Sequence, residues 1–171
     1  MFESKLFKRL KRATPGFDWT RHEDKITSGI PDCSYGAEGV GGWVELKTYD
    51  AWPRDPSTPL RFHDLKPTQV NWAFRRGRKQ RLVWFLIGVA DDWFLISWKH
   101  ARKLGKLTQA ELLAASDAHG QYPIPRSIAK ILTGGVTPAR MKAPSNEENS
   151  DGKSQRVPRR VPRRVRDSGG M

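Results

Sequence analysis

Asp32, Glu45 and Lys47 are the residues whose types and spacing can do chemistry. Asp32 ends the run Gly29-Ile30-Pro31-Asp32, and twelve residues later the chain reads Glu45-Leu46-Lys47. In an extended strand successive side chains point to opposite faces, so Trp43, Glu45 and Lys47 share one face and Val44 and Leu46 the other. The apolar face can pack on a helix while an acid and a base stand side by side opposite it. Hairpin pairing with the preceding strand would bring the Asp32 carboxylate beside that of Glu45. Two carboxylates held so close repel and invite a cation. All-oxygen ligation suits a hard ion, magnesium (Mg2+) or manganese (Mn2+) in its place. Lys47 beside that ion can orient or deprotonate a water, or stabilise charge developing on an attacked phosphate. Such parts support hydrolysis of a phosphodiester by a metal-activated hydroxide. The bland alternative is a turn capped by Asp32 and a solvated Glu45–Lys47 ion pair worth under about 1 kcal/mol.

The elements that must position these groups follow from periodicity. Phe2, Leu6, Phe7 and Leu10 recur at helical spacing among Lys5, Lys8, Arg9, Lys11 and Arg12, which predicts an amphipathic first helix ending before Pro15-Gly16. Residues 30–35 and 43–49 read as two strands joined by a loose loop containing Gly36, Gly39, Gly41 and Gly42. Residues 52–59, with three prolines, form an irregular excursion. Pro67 suits the first turn of a helix running to Arg78, with Gln69, Val70, Trp72, Ala73 and Phe74 in helical pattern. Residues 81–90 are an apolar run suited to a strand buried on both faces, followed by a strand over 93–98. Helices are expected at 99–104 and at 108–118, the second with Thr108 as N-cap and Glu111 three residues on, and a further turn or two at 127–132. The pattern is that of one α/β domain over residues 1–140.

Charge narrows the partner. The 171 residues hold 31 Lys and Arg against 18 Asp and Glu, a net charge of +13, which favours a polyanion and most simply nucleic acid. The single cysteine, Cys33, rules out a disulfide framework or a cysteine zinc site and reads as a small core residue. No run approaches the roughly 18 apolar residues of a membrane span, and no secretory signal is evident, so no membrane partner and a cytoplasmic location are expected. Residues 141–171 carry eight Lys or Arg and four acids, with no Leu, Ile, Phe, Trp or Tyr, and are expected to be a disordered basic tail. Its repeat, Val157-Pro-Arg-Arg and Val161-Pro-Arg-Arg, suits either phosphate attraction or simple solubilisation.

Arg75, Arg76, Arg78 and Lys79, with Arg81 beyond them, are close enough to repel unless a polyanion screens them, which marks them as nucleic-acid contacts; a solvated helix end is the alternative. Arg21 either contacts a phosphate near the site or pairs with Glu23 or Asp24. Trp52, in the proline-rich loop, is the tryptophan placed to stack on a splayed base, while the others suit the core. The four histidines show no metal-ligand spacing, and His63-Asp64 reads as a pair supporting the site or as ordinary surface residues.

The words "GIPD", "GWVELKT" and "LKPTQVNWA", the last leading into an apolar strand, resemble the PD-(D/E)XK nuclease superfamily. Over residues 1–98 they resemble the branch holding archaeal-type Holliday-junction resolvases and the VRR-NUC domain, including small phage-encoded members. The resemblance implies a restriction-endonuclease-like core, a mixed central sheet flanked by helices, and a magnesium-dependent DNA endonuclease in a bacterial or phage-infected cell. It implies Asp32, Glu45 and the main-chain carbonyl of Leu46 as metal ligands and Lys47 as the catalytic lysine. Glu3 on the first helix, with Glu23 as competitor, would add an acid, and Gln69 a glutamine near the active site. Branched DNA is the implied substrate, a homodimer follows from symmetric cutting, and no small-molecule cofactor is called for. The glycine-rich link and the proline-rich insertion depart from the best-known resolvases. Two other readings stand beside this one: a nicking, replication or restriction-type nuclease on duplex or single strands, and a non-enzymatic basic nucleic-acid-binding protein.

Overall fold

The computed structural model of the protein describes residues 3–22 and 29–135, all within one compact unit. Its elements are α1 (Glu3–Ala13), β1 (Asp18–Arg21), β2 (Cys33–Ala37), β3 (Val40–Tyr49), α2 (Pro67–Gln80), β4 (Val83–Val89), β5 (Asp92–Ser97), a 3₁₀ helix (Trp98–Lys103), α3 (Gln109–Ala115), β6 (Ala118–Gln121) and α4 (Ile128–Leu132). The six strands form one sheet in chain order. Every pairing is antiparallel except β3 with β4, which run parallel because α2 crosses between them. The architecture is the α/β, mixed sheet flanked by helices that the sequence implied.

Helices cover both faces. Leu6 and Leu10 of α1 and Ile128 and Leu132 of α4 pack with Val44, Leu46, Leu86 and Leu95 on one side. Ala73 of α2, Leu104 just after the 3₁₀ helix and Leu112 of α3 pack with Val83, Phe85, Ile87 and Ile96 on the other. All seven residues of β4 are buried, as the unbroken apolar run predicts for a strand covered twice. Thr108 caps α3 by accepting from the Glu111 N–H at 3.3 Å while Glu111 Oε2 accepts from the Thr108 N–H at 2.9 Å.

Several expectations change. The glycine-rich link is a two-residue turn, since Ala37 pairs with Val40 and both Glu38 and Gly39 have positive φ (50° and 76°). Gly41 and Gly42 therefore lie inside β3, which starts earlier than its apolar residues suggest. β2 starts later, leaving Ile30, Pro31 and Asp32 ahead of it. The helix expected over 108–118 stops at Ala115, and the segment 99–104 is a 3₁₀ helix over 98–103. Strands β1 and β6 have no precedent in the sequence pattern: each is four residues long, largely polar, and sits at a sheet edge, where one neighbour suffices. Phe2, Glu23, Asp24 and the basic tail lie outside the described residues. Among the described residues no helix is long and apolar enough to cross a membrane.

Candidate active site

The alternation of β3 does what its sequence predicts, with one consequence the sequence concealed. Val44 and Leu46 face α1, while Glu45 and Lys47 face the α2 layer and are only 1% and 4% exposed. A solvated surface pair is thereby excluded. Charges this deeply buried persist only with partners. Lys47 Nζ lies 2.8 Å from Glu45 Oε1, and Gln69 Nε2 donates to the same oxygen at 2.5 Å. Glu45 Oε2 is buried and has no hydrogen-bond partner.

Gln69 arrives because Pro67 opens α2 beside the sheet. Its Oε1 accepts from the Lys66 N–H at 2.9 Å, so one amide both caps the helix and holds Glu45. Glutamate could accept but not donate, which accounts for an amide here.

Asp32 is placed by backbone geometry at a strand end. The ladder between β2 and β3 begins at Cys33 opposite Val44, so Leu46 stands beyond it. Asp32 fills the vacancy: its Oδ2 accepts from the Leu46 N–H at 2.7 Å, while its carbonyl accepts from the His22 N–H at 2.8 Å. In an extended strand the N–H and C=O of one residue point to the same edge, so the Leu46 carbonyl faces the side where Asp32 sits. Gly29 fixes the approach. Its φ is +102°, and a Cβ there would lie 2.8 Å from the Thr68 carbonyl oxygen, so only glycine lets this segment rest on the first turn of α2.

Lys47 has two further acidic neighbours. Glu3 of α1 lies 3.4 Å from Nζ and Asp64 lies 3.5 Å from it, and Asp64 also accepts from the Tyr49 hydroxyl at 3.0 Å. The first-helix acid thus joins the site through the lysine. Asp64, and not its neighbour His63, is the member of that pair in contact with Lys47. It comes from the irregular stretch before α2, and Tyr49, two residues beyond Lys47 on the same face of β3, is the one local hint of it.

Electrostatics follow from burial. Burial, and next the nearby Asp32 carboxylate, push Glu45 up to about 7 against the pull of Lys47. Burial likewise raises Glu3 despite Lys47. Burial alone would lower Lys47, but the Glu45 carboxylate outweighs it and holds the ammonium above the usual lysine range. Without a metal, Lys47 is thus held as an ammonium beside Glu45. The donor set fits a hard divalent cation: the unpartnered Oε2 of Glu45, the Asp32 carboxylate and the Leu46 carbonyl are all oxygen. Among the described residues no three acid, histidine or cysteine side chains form a complete metal cage, so two carboxylates and a carbonyl would leave positions for water, as magnesium prefers.

The expected nucleic-acid residues lie farther out. Arg75, Arg76, Arg78 and Lys79 are exposed along the second half of α2, about 9–15 Å from Gln69 by helical rise. Arg21 is exposed at the end of β1, its guanidinium 5.8 Å from the Phe7 ring centre. Trp52 is not free to stack on a base, because its Nε1 donates to Asp92 at 2.9 Å and its ring meets Phe94 edge-on. An unforeseen aromatic group stands nearer the site: Trp43, two residues before Glu45 on the same face, stacks on His22 and meets Trp72 edge-on.

No protein-family model matches the chain, and no curated protein matches it. Among solved structures it is similar to Hjc of Archaeoglobus fulgidus, a Holliday junction resolvase from an archaeal hyperthermophile, with a TM-score of 0.51 and 17% identity over 77% of this chain and 97% of that one. This chain shares the fold of that archaeal protein, a mixed sheet flanked by helices.

Proposed function

We propose that the protein is a metal-dependent DNA endonuclease that hydrolyses phosphodiester bonds, with branched DNA of the four-way-junction kind as its substrate. The observation that carries this is Glu45: one carboxylate oxygen is held by Lys47 and Gln69, and the other is buried, unpartnered and next to a second carboxylate segment. A site arranged only for stability would pair that oxygen. The fold shared with a resolvase and the net charge of +13 support DNA as the substrate.

Asp32, Glu45 and the Leu46 carbonyl would hold Mg2+, with Mn2+ as a substitute. When bound, such an ion supplies Lewis acidity toward a phosphate oxygen and lowers the pKa of a coordinated water. The chain's own residues do the rest. Gln69 fixes the rotamer of Glu45 so that Oε2 stays available. Lys47 presents an ammonium where negative charge grows on the phosphate, and Glu3 and Asp64 hold that ammonium in place. Arg21, Arg75, Arg76, Arg78 and Lys79 neutralise flanking phosphates. Symmetric cutting of a junction needs two such sites, so the acting species is a homodimer in the cytoplasm of a bacterial or phage-infected cell.

The test is cleavage of labelled four-way junction, duplex and single-stranded DNA, in magnesium or EDTA, by wild type and Glu45→Ala. Paired junction cuts that need metal and vanish in the variant are expected. Cutting of duplex or single strands instead would keep the site and discard the junction. Tight binding without cleavage of any substrate would leave a basic DNA-binding protein.

A further inference from the structure

We propose that the cleft between the second half of α2 and the 3₁₀ helix is a phosphate-binding site, separate from the catalytic carboxylates, that seats successive phosphates of a nucleic-acid backbone. The inference rests on the nuclease reading for DNA as the polyanion, and on the structure for the cleft.

Two basic elements are locked together by a close approach. A Cβ at Gly77 of α2 would lie 2.1 Å from Trp98 Cγ, so glycine alone lets the indole that starts the 3₁₀ helix rest on the α2 backbone. Phe74 meets Trp98 edge-on at 5.5 Å, and the Arg102 guanidinium sits 4.0 Å from the Phe74 ring centre. This packing sets Lys99 and Arg102 beside the cations of α2. Arg78, Arg81 and Lys99 line one opening of about 670 Å³, and Arg75, Arg78, Lys79 and Arg102 line a second of about 440 Å³. Arg78 is common to both.

Among the described residues these six cations outnumber the acids lining the two openings by six to one. Among the described residues none of the six forms an ion pair, and the one acid lining either opening, Asp117, which accepts from the Ser97 N–H at 2.8 Å, offsets a single charge. Six positive charges so close repel unless an anion enters. Arg81 adds an independent sign. It caps α2 with φ 64°, a left-handed conformation in which glycine or asparagine is the usual residue. The backbone does not ask for arginine there; the cleft does.

Two adjoining openings that share a guanidinium suit a run of phosphates better than one small anion. Arg78 lies about 13 Å from Gln69 along α2, roughly the rise of four base pairs, so DNA with its scissile phosphate at Glu45 reaches the cleft a few nucleotides away.

The experiment uses the full chain in EDTA, where cutting is not read. The affinity of a 30-base-pair duplex and of a four-way junction is measured from 50 to 200 mM salt, for wild type and for Arg78→Gln/Arg81→Gln/Lys99→Gln. Three lost phosphate contacts flatten the salt slope, so wild type is expected to lose about 40-fold more affinity than the variant across that range. Arg81→Gly/Lys99→Gln, in which the new glycine suits the backbone, is expected to lose about two contacts' worth of slope and guards against misfolding. Equal slopes in wild type and both variants would overturn the cleft while leaving metal-dependent cutting intact. A slope lost in the variants, with a wild type that cuts nothing in the separate magnesium assay, would support the cleft and sink the nuclease. Failure of wild type to bind DNA would overturn the cleft as a nucleic-acid site.

Discussion

Gln69 Nε2 donates to Glu45 Oε1 at 2.5 Å while Gln69 Oε1 accepts from the main chain at Lys66, so the first turn of α2 and the buried acid of β3 are joined through one amide. The contact spans 24 residues of sequence and leaves Glu45 Oε2 as its free end.

Replacing Gln69 by alanine is therefore expected to lower magnesium affinity and cleavage by about 10–100-fold. Gln69→Glu should be worse, since a second carboxylate would repel Glu45. Magnesium titration of cleavage, with a thermal melt as folding control, checks both. Equal metal affinity in wild type and Gln69→Ala would dismiss the positioning role.

Lys47 compensates a buried carboxylate, so Lys47→Ala should destabilise the fold as well as abolish activity. Leaving Glu45 unpaired costs about 3–5 kcal/mol when the acid is ionised. Urea unfolding at pH 8 and pH 5 separates the effects: the loss should shrink at pH 5, where Glu45 carries its proton in the folded state.

The pH dependence has a definite sign. Glu45 is held near 7 in the folded, metal-free protein and ordinarily titrates at 4.5. The native state thus binds its proton more tightly than the unfolded chain. Between those values the contribution of this group to stability falls as pH rises, and it is fully present only below about 4.5. Relative to Glu45→Gln, wild type in EDTA should lose stability from pH 5 to pH 7. Magnesium should restore it at pH 8 and do little at pH 5.5, where the ligand is protonated. A wild-type curve parallel to that of the variant would remove Glu45 as the titrating group.

Asp64 holds Lys47 from a loop and is 56% exposed, so its ion pair contributes little to stability. Asp64→Asn should leave the melting temperature nearly unchanged and reduce kcat severalfold with KM unaltered, because the lysine is less well held. Tyr49→Phe, which frees Asp64 from its hydroxyl partner, should act in the same direction.

Gly29→Ala should cost both stability and activity. The new Cβ meets the Thr68 carbonyl at 2.8 Å, backbone that cannot turn aside, and the φ of +102° is strained for any side chain. Overpacking of this kind costs about 1–3 kcal/mol, and the displaced segment carries Asp32. Cleavage rate and urea midpoint should fall together.

What the sequence determined by itself was local. The alternation of 43–47, the proline at the head of α2, the seven-residue apolar run of β4 and the Thr108–Glu111 cap all follow from neighbouring residues, whose side-chain directions are set by backbone periodicity. The Pro31-Asp32 and Glu45-Leu46-Lys47 words named the candidate chemistry for the same reason. Tertiary structure decided everything that depends on partners distant in the chain. Whether glycines 41 and 42 belong to a loop or a strand turned on Ala37 pairing with Val40. The edge strands β1 and β6, too short and polar to announce themselves, exist because a neighbouring strand offers a ladder. Glu45 and Lys47 look like surface charges until α2 and the segment before it cover them. Trp52 was claimed by Asp92, Asp64 was brought to Lys47, and Gly77 let Trp98 draw two basic elements together. Burial and charge pairing are sums over such contacts, and no stretch of neighbouring residues contains them.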